Sequence, residues 1–263
     1  MAISAKDIAA LRKATNCGML DCKKALIESD SDFDKAVEIL RKRGQAKAVK
    51  KAGREANEGV VVATVKGNKA AITQLSCETD FVGNTDRFRD YASSLLEKTI
   101  AKDSNGEVTA ELVEQEKDDL VTMIATIGEN MQIVNAQSWT SEGQLQSYIH
   151  GNGRIGVIVD VEGEIDAAGL KSVCMHIAAF NPSYVDDSGV PAEDIEKEKA
   201  IFAEKAKGKP PEIADKIING SVQKWFKDVC FVNQPWIMDD KLTFSQAYPK
   251  ATVKRFVMCK IGK

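Results

Sequence analysis

Two histidines, six cysteines and one glycine run are the natural stock for nucleophilic, metal or nucleotide chemistry in this 263-residue chain. His150 and His176 cannot form a multi-histidine metal centre, and no Cys/His set has zinc spacing. Cys77 and His150 could pair as nucleophile and base, but no oxyanion-forming motif accompanies them. Cys77 also closes an apolar run, and burial there makes a thiol inert. Gly151-Asn-Gly-Arg-Ile-Gly156 matches GxGxxG by letters. A dinucleotide fingerprint, however, needs a strand before it and a helix after it, so that the helix N-terminus holds pyrophosphate. Here a strand, Val157–Val161, follows, and the glycines are expected to form a tight turn. No GxxxxGK[ST] loop is present. Expected catalytic residues, metal ligands and cofactors are therefore none, and the chain reads as a non-enzyme.

What remains is a junction. Ala71-Ile-Thr-Gln-Leu-Ser-Cys77 alternates like a half-buried strand. Phe88, Tyr91, Ala92, Leu95, Leu96 and Ile100 fall on one face of a helix expected over 86–101. Between the two stands Glu78-Thr-Asp-Phe-Val82, which places a phenylalanine beside a carboxylate in a connection that lies at the surface as a rule. On local physics Phe81 is either the first core residue of the following helix, with Asp80 as its cap, or an exposed apolar group held for a partner.

The letters around the junction discriminate. Gln74-Leu-Ser-Cys-Glu-Thr-Asp-Phe-Val-Gly-Asn84 is similar to a signature of the elongation factor Ts family. Leu11-Arg-Lys-Ala-Thr-Asn-Cys-Gly-Met-Leu-Asp-Cys-Lys-Lys-Ala-Leu26 resembles a second, and Ser147-Tyr-Ile-His-Gly-Asn-Gly-Arg-Ile-Gly-Val-Ile-Val159 a third. The resemblance runs from about residue 4 to the last strand. Asn16, Ser76 and Gly83 depart from the family's usual residues. Gly83 is expected to loosen the start of the next helix by roughly 1 kcal/mol relative to alanine. The sequence ends at Gly262-Lys263, short of a C-terminal helical module that some members carry.

Composition agrees with such a protein. Apolar residues make up 43% and charged residues 29%, ordinary for a globular chain with two or three cores. No run approaches the roughly 20 apolar residues that span a bilayer, and the first residues lack a signal-peptide core. The cysteines, at 17, 22, 77, 174, 230 and 259, have no framework spacing and suit a reducing cytoplasm. Net charge is −3, but residues 1–56 carry 13 Lys/Arg against 8 Asp/Glu, leaving −8 for the rest. Seven basic and no acidic residues lie between Arg41 and Arg54. That run is either an anionic-partner patch or a solvated helical linker, and no aromatic residue is interleaved to stack on bases.

The expected fold class is α+β in three parts. Residues 1–54 read as a three-helix, ubiquitin-associated-like unit. Ser4 and Asp7 cap its first helix. Cys22, Ala25 and Leu26 are buried by the second. A third starts at Ser31/Asp32, buries Phe33, Val37 and Leu40, and ends at Gly44. Met19 and Leu20 are either core or an exposed contact. Residues 55–144 read as an N-subdomain. Strand Gly59–Val65 turns at Lys66-Gly-Asn68 into strand 70–77, helices follow at 86–101 and near 109–126, and a strand begins at Met131. Residues 145–263 look like a duplicate with antiparallel sheets. Gly156–Val161 echoes Gly59–Val65, and helix 167–179 and strand Thr252–Lys260 echo the rest. An inserted hairpin at about 192–226 pairs Ala192–Lys207 with Pro211–Phe226 along a thin seam of Ile195, Phe202, Ile213, Ile217 and Trp225, a coiled-coil-like arrangement.

The family resemblance implies a guanine-nucleotide exchange factor whose partner is elongation factor Tu. Thr79, Asp80, Phe81 and Val82 would displace the partner's magnesium, and this chain would hold no ion itself. It further implies contacts through Arg12, Met19, Leu20, His150 and His176. For each histidine a satisfied core position is the competing reading. The hairpin suggests self-association as a homodimer or a partner contact. No membrane or direct nucleic-acid binding is expected. Two other classes compete: a ubiquitin-associated-like scaffold, which leaves the Thr-Asp-Phe-Val junction unexplained, and an RNA-binding protein, which would bind with steep salt dependence.

Overall fold

The computed structural model describes residues 3–15 and 17–262; Asn16, noted above, lies outside them. Three helices come first. α1 (Ala5–Thr15) opens on reciprocal bonds, with Asp7 N–H donating to Ser4 Oγ (3.1 Å) and Ser4 N–H to Asp7 Oδ2 (3.3 Å). α2 (Met19–Glu28) buries Cys22, Ala25 and Leu26. α3 (Phe33–Lys51) is capped by Asp32, which accepts the Lys35 N–H at 3.0 Å. Leu11, Cys22, Ala25, Leu26, Ala36 and Leu40 close a small core among them.

Two expectations about α3 fail. Phe33 is exposed, and Ala36 fills the core instead. Gly44 does not end the helix, which runs on to Lys51. Gly44 is buried where α3 packs on α7 (Lys117–Ile127), with Ala125 and Val121 facing its Cα. Tertiary contact there overrides a weak local stop signal. Arg41 pairs with Asp118, and the Lys51 ammonium reaches the Gly128 carbonyl, so α3 is fastened along its length. Ala48 joins the next core.

β1 (Glu58–Lys66) and β2 (Lys69–Cys77) form a hairpin through the two-residue turn Gly67-Asn68. A four-residue helix, α4 (Asp80–Gly83), leads into α5 (Asp86–Ile100). The short β3 (Gly106–Glu107) precedes α6 (Thr109–Gln115), then α7, then β4 (Met131–Thr140). The single helix expected near 109–126 is thus two. They break at Glu116, which is buried and accepts both hydrogen bonds from Lys98 Nζ (2.7 and 2.6 Å). The sheet order is β1-β2-β4-β3, antiparallel throughout.

A second antiparallel sheet, ordered β5-β6-β7, is built from β5 (Gln144–His150), β6 (Ile155–Gly163) and, after an insertion, β7 (Ala251–Lys260). α8 (Ala167–Phe180) covers its outer face. α9 (Ala192–Lys205) and α10 (Pro211–Val229) make the inserted hairpin, and α11 (Phe244–Ala247) precedes β7. The hairpin seam uses Ile218 and Val222 with Ile195, Phe202, Trp225 and Phe226. Ile217 takes no part in it and Ile213 is exposed. The duplication holds with its strands matched differently. In each half a hairpin is followed by a helix and a returning strand beside the hairpin's second member. β6 therefore corresponds to β2, not to β1. The counterpart of β1 is β5, whose Gln-Leu-Gln-Ser pattern carries too few β-branched residues to announce itself.

The sheets stack directly on one another, with helices outside: α5, α6 and α7 on one side, α8 on the other. Val61, Ala70, Ile72, Trp139, Ile158 and Cys259 fill the space between sheets. Val60, Leu75 and Cys77 face the first helical layer, and Val157, Val159 and Val161 the second. β2 is consequently buried on both faces from Ala70 to Cys77, not half-buried as its alternation suggests. The glycine run forms the expected turn, with positive φ at Gly151, Asn152 and Gly153. It also does more. A Cβ on Gly153 would stand 2.4 Å from Val60, and one on Gly156 2.4 Å from Val61. The Gly153 carbonyl accepts the Val61 N–H at 2.7 Å. These glycines let one sheet touch the other.

Space at Gly44 fixes the sign of a substitution. A Cβ there would sit 3.5 Å from Ala125 Cβ and 3.5 Å from Val121 Cγ1, ordinary contact in helical backbone. Gly44→Ala is therefore expected to stabilise the protein by about 0.5–1 kcal/mol in chemical unfolding. Gly44→Leu, which must push α3 off α7, is expected to destabilise it by about 1–3 kcal/mol. A destabilised alanine variant would contradict the packing described.

Candidate functional site

Where β2 runs out at Cys77, the chain turns sharply and begins α4. Thr79 is the N-cap, its hydroxyl accepting the Val82 N–H at 3.4 Å. Four residues of helix have no stability alone, so α4 is held from below. Val82 packs into the first core, and Gly83 is buried against Gly59 and Cys77. Gly83 thus ends α4 and does not open α5, whose own cap is Thr85; the expected loosening of that helix has no place to act. Asn84 Nδ2 donates back to the Asp80 carbonyl at 2.9 Å. Phe81 points the other way. It is 83% exposed, although burying such a ring is worth about 1.5–3 kcal/mol. Of the two readings of Phe81, the exposed one is what the fold presents.

Two glutamates hold the junction. Glu129 Oε2 accepts the backbone N–H groups of Glu78 and Thr79, both at 3.0 Å, and its Oε1 accepts the Thr79 hydroxyl proton at 2.7 Å. Glu78 returns the contact, accepting the Asn130 N–H at 2.6 Å. That backbone donor, aided by Arg54 at 3.4 Å, holds the Glu78 carboxyl below the usual carboxylate range. Asn130 is buried and donates from Nδ2 to the Arg54 carbonyl at 2.7 Å. On the far side, Arg89 Nη2 bridges Asn84 Oδ1 (3.0 Å) and the Asn152 carbonyl (3.1 Å), linking α4 to the glycine turn of the second sheet. A groove beside Asp80, lined by Glu58, Arg89, Asn152 and Arg154, follows the same seam.

The remaining sites expected from sequence are scattered. Met19 (59% exposed) and Leu20 (74%) stand on the first turn of α2, so of the two readings the core one fails. Arg12 is exposed on α1, and with Ile8, Lys13 and Met19 it lines a shallow apolar groove. His150 is exposed at the end of β5, its Nδ1 bonded to Tyr148 Oη at 2.9 Å. His176 is the correction. It has no exposed surface, lies between the Phe180 and Trp236 rings (4.7 and 5.3 Å), and cannot touch a partner from there. Its setting on the inner face of an apolar helix decides for the core reading. The Cys77–His150 pairing is absent. Cys77 bonds the Thr79 carbonyl instead, and burial, with Glu129 nearby, pushes its thiol up to about 12. Among the described residues no three His, Cys, Asp or Glu side chains group to hold a metal, and no helix is long and apolar enough to cross a membrane.

The family model described as Elongation factor TS matches residues 78–263, starting at the first residue of the junction. A curated Elongation factor Ts of Hydrogenobaculum sp. is 42% identical over 277 residues, covering 100% of both chains. Another, from Clostridium acetobutylicum, is 41% identical over 265 residues, covering 94% of this chain and 86% of its own. The chain belongs to the elongation factor Ts family. A third Elongation factor Ts, from Idiomarina loihiensis, is 39% identical over 274 residues, covering 100% of this chain and 92% of its own. Family membership brings a role in translation elongation.

For an elongation factor Ts chain, the residues that sequence reasoning missed are those that hold the junction without belonging to it. Glu129 and Asn130 lie far from Phe81 in sequence and read as an ordinary polar turn after Gly128, while Arg89 reads as one more charged residue on the polar face of α5. The one available signal was Gly128 itself, a left-handed helix end (φ 93°) that aims the next two residues.

His176 yields a pH prediction. Ile237 N–H donates to Nδ1 (3.3 Å), so Nε2 carries the proton and donates to Gln234 Oε1 (2.9 Å). Burial lowers the folded pKa below the ordinary value near 6.5. The unfolded chain then binds a proton that the folded one refuses. Stability is full above about pH 6.5 and falls as pH drops toward the folded value, by up to roughly 1.4 kcal/mol per pH unit. Melting between pH 7.5 and 5.5 is expected to fall more steeply for the native chain than for His176→Leu. Parallel curves would contradict this.

Proposed function

We propose that this chain binds elongation factor Tu in its GDP form and accelerates GDP release by disturbing the magnesium site of that partner, acting in the cytoplasm as an exchange factor and not as an enzyme. The observation that carries the proposal is the exposure of Phe81 on a helix that Thr79, Val82 and Gly83 anchor. A ring held in water gains about 1.5–3 kcal/mol if a partner offers an apolar gap. If that gap opens only in the nucleotide-free partner, the contact weakens nucleotide by the same factor that it strengthens protein binding. Asp80, exposed beside the ring, supplies the negative charge that competes for groups around the metal. Thr79 and Val82 belong to the same unit but act below the surface, as cap and anchor. Such a mechanism needs a rigid apolar probe and a charge, both from one turn of helix.

The N-terminal unit, residues 1–54, supplies affinity in this reading. Met19 and Leu20 offer an apolar face bordered by Arg12 and Lys13. Residues 55–144 carry the probe, and residues 145–263 add contacts near His150. The hairpin over about 192–226 exposes Ile201 and Ile213 and is the element suited to self-association.

Phe81→Ala tests the central step. Exposure predicts that its melting temperature stays within about a degree of the native chain. GDP release from elongation factor Tu should fall by about 2 kcal/mol or more, some thirtyfold, as for an interface hot spot. Asp80→Ala should lower the same rate by less. Normal release by a folded Phe81→Ala protein would sink the proposal. Met19→Ala combined with Leu20→Ala separates affinity from chemistry. It should raise the concentration needed for half-maximal release by about tenfold and leave the maximal rate unchanged. A fall in the maximal rate alone would reverse the roles assigned to the two parts.

A further inference from the structure

The Glu129 carboxylate is bound only to the junction. Both its oxygens are used, by two backbone N–H groups and one hydroxyl, and it forms no ion pair among the described residues. A charge-assisted acceptor of three donors is a strong and geometrically demanding arrangement. Its place in the fold says what it does. The β2–β4 ladder ends at the Cys77↔Met131 pair. One step further, the side chains of Glu78 and Glu129 replace the backbone carbonyls that a longer ladder would use. Glu129 receives Glu78 N–H and Thr79 N–H, and Glu78 receives Asn130 N–H. The strands are thereby tied together up to the cap of α4 without being strands there.

The Thr79 hydroxyl has a single proton, and donating it to Glu129 leaves its lone pairs for the Val82 N–H. Remove Glu129, and that hydroxyl is free to rotate away from the cap position while two backbone donors lose their acceptor. α4 contributes nothing of its own to resist this. We propose that Glu129 is the positioning residue that holds the Thr79–Val82 turn in the one orientation that presents Phe81. The proposal rests on the exchange reading above.

The test compares Glu129→Ala, Glu129→Gln, Phe81→Ala and the Phe81→Ala/Glu129→Ala double variant in the full chain. It measures the maximal rate of fluorescent GDP release from elongation factor Tu, together with amide hydrogen exchange of each protein alone. Glu129→Ala is expected to melt cooperatively, to lose protection over residues 78–83 only, and to release GDP at least tenfold more slowly. Glu129→Gln keeps an acceptor for both N–H groups and a donor for Thr79 Oγ1, and should recover most of the rate. Because Glu129 acts through the turn that carries Phe81 and Asp80, the double variant should be slower than Phe81→Ala by no more than the small loss seen in Asp80→Ala. Unchanged protection over 78–83 in Glu129→Ala overturns the proposal, as does a double variant whose losses multiply. If Glu129→Ala does not fold, loss of protection over 78–83 in Glu129→Asp, whose shorter arm cannot reach all three donors, replaces it as the deciding measurement. Native-rate release by Phe81→Ala would defeat the exchange reading instead, and the exchange protection would still decide whether Glu129 holds the turn.

Discussion

The contact between the two sheets, made without any helix between them, is the constraint on which the rest of the molecule depends. It exists because Gly153 and Gly156 leave room for the Val60 and Val61 side chains and because the Gly153 carbonyl takes the Val61 N–H. Once the sheets meet, β2 and β6 have no free face, and each is wedged between a sheet and a layer of helices. A strand so enclosed cannot slip its register, since one step would carry every side chain to the wrong layer. The end of β2 is therefore a fixed point, and whatever is attached there is aimed.

That fixed point explains how a very short helix can hold an exposed ring in one direction. Val82 and Gly83 belong to the packed interior, Thr79 and Glu78 to the hydrogen-bonded end of the ladder, and Asp80 and Phe81 to neither. The residues that look inward pin the backbone, so the residues that look outward keep one direction. Arg89 and Asn152 extend the same support to the second sheet, which makes the glycine turn part of the mounting. A run whose letters suggest phosphate binding is used for close packing, and its chemistry is that of an absent side chain.

The parts that could be read from the sequence were those in which local signals and tertiary structure agree. The helix with Phe88, Ala92, Leu95 and Leu96 on one face sits where its periodicity puts it, and the caps at Ser4 and Asp32 form as their spacing implies. The parts misread were those in which a second layer of contacts overrules the local pattern. Gly44 continues a helix because α7 leans on it. β2 loses its half-exposed character because another sheet covers it, and Phe33 is displaced by the smaller Ala36. His176 was ambiguous because a buried, fully satisfied imidazole and an exposed one share the same apolar neighbours in sequence. At the site, the motif residues were legible and their supports were not. Glu129 meets Thr79 only after the intervening chain has folded and returned as β4.

The continuity of α3 has a mechanical consequence. Its 19 residues run from the N-terminal core into the first sheet's helical layer without a break, a rod of roughly 28 Å at 1.5 Å per residue. Leu40 belongs to one end and Ala48 to the other. The apolar pair on α2 and the exposed ring on α4 thus stand on two units that one unbroken helix joins, fastened to the first by Leu40 and to the second by Ala48. In the exchange reading proposed above, two contacts joined in this way would behave as a calliper. When one has engaged, the other faces its target at an effective concentration set by geometry and not by dilution, provided that the target surfaces are spaced to match. A target whose two surfaces shift apart would be released from both at once.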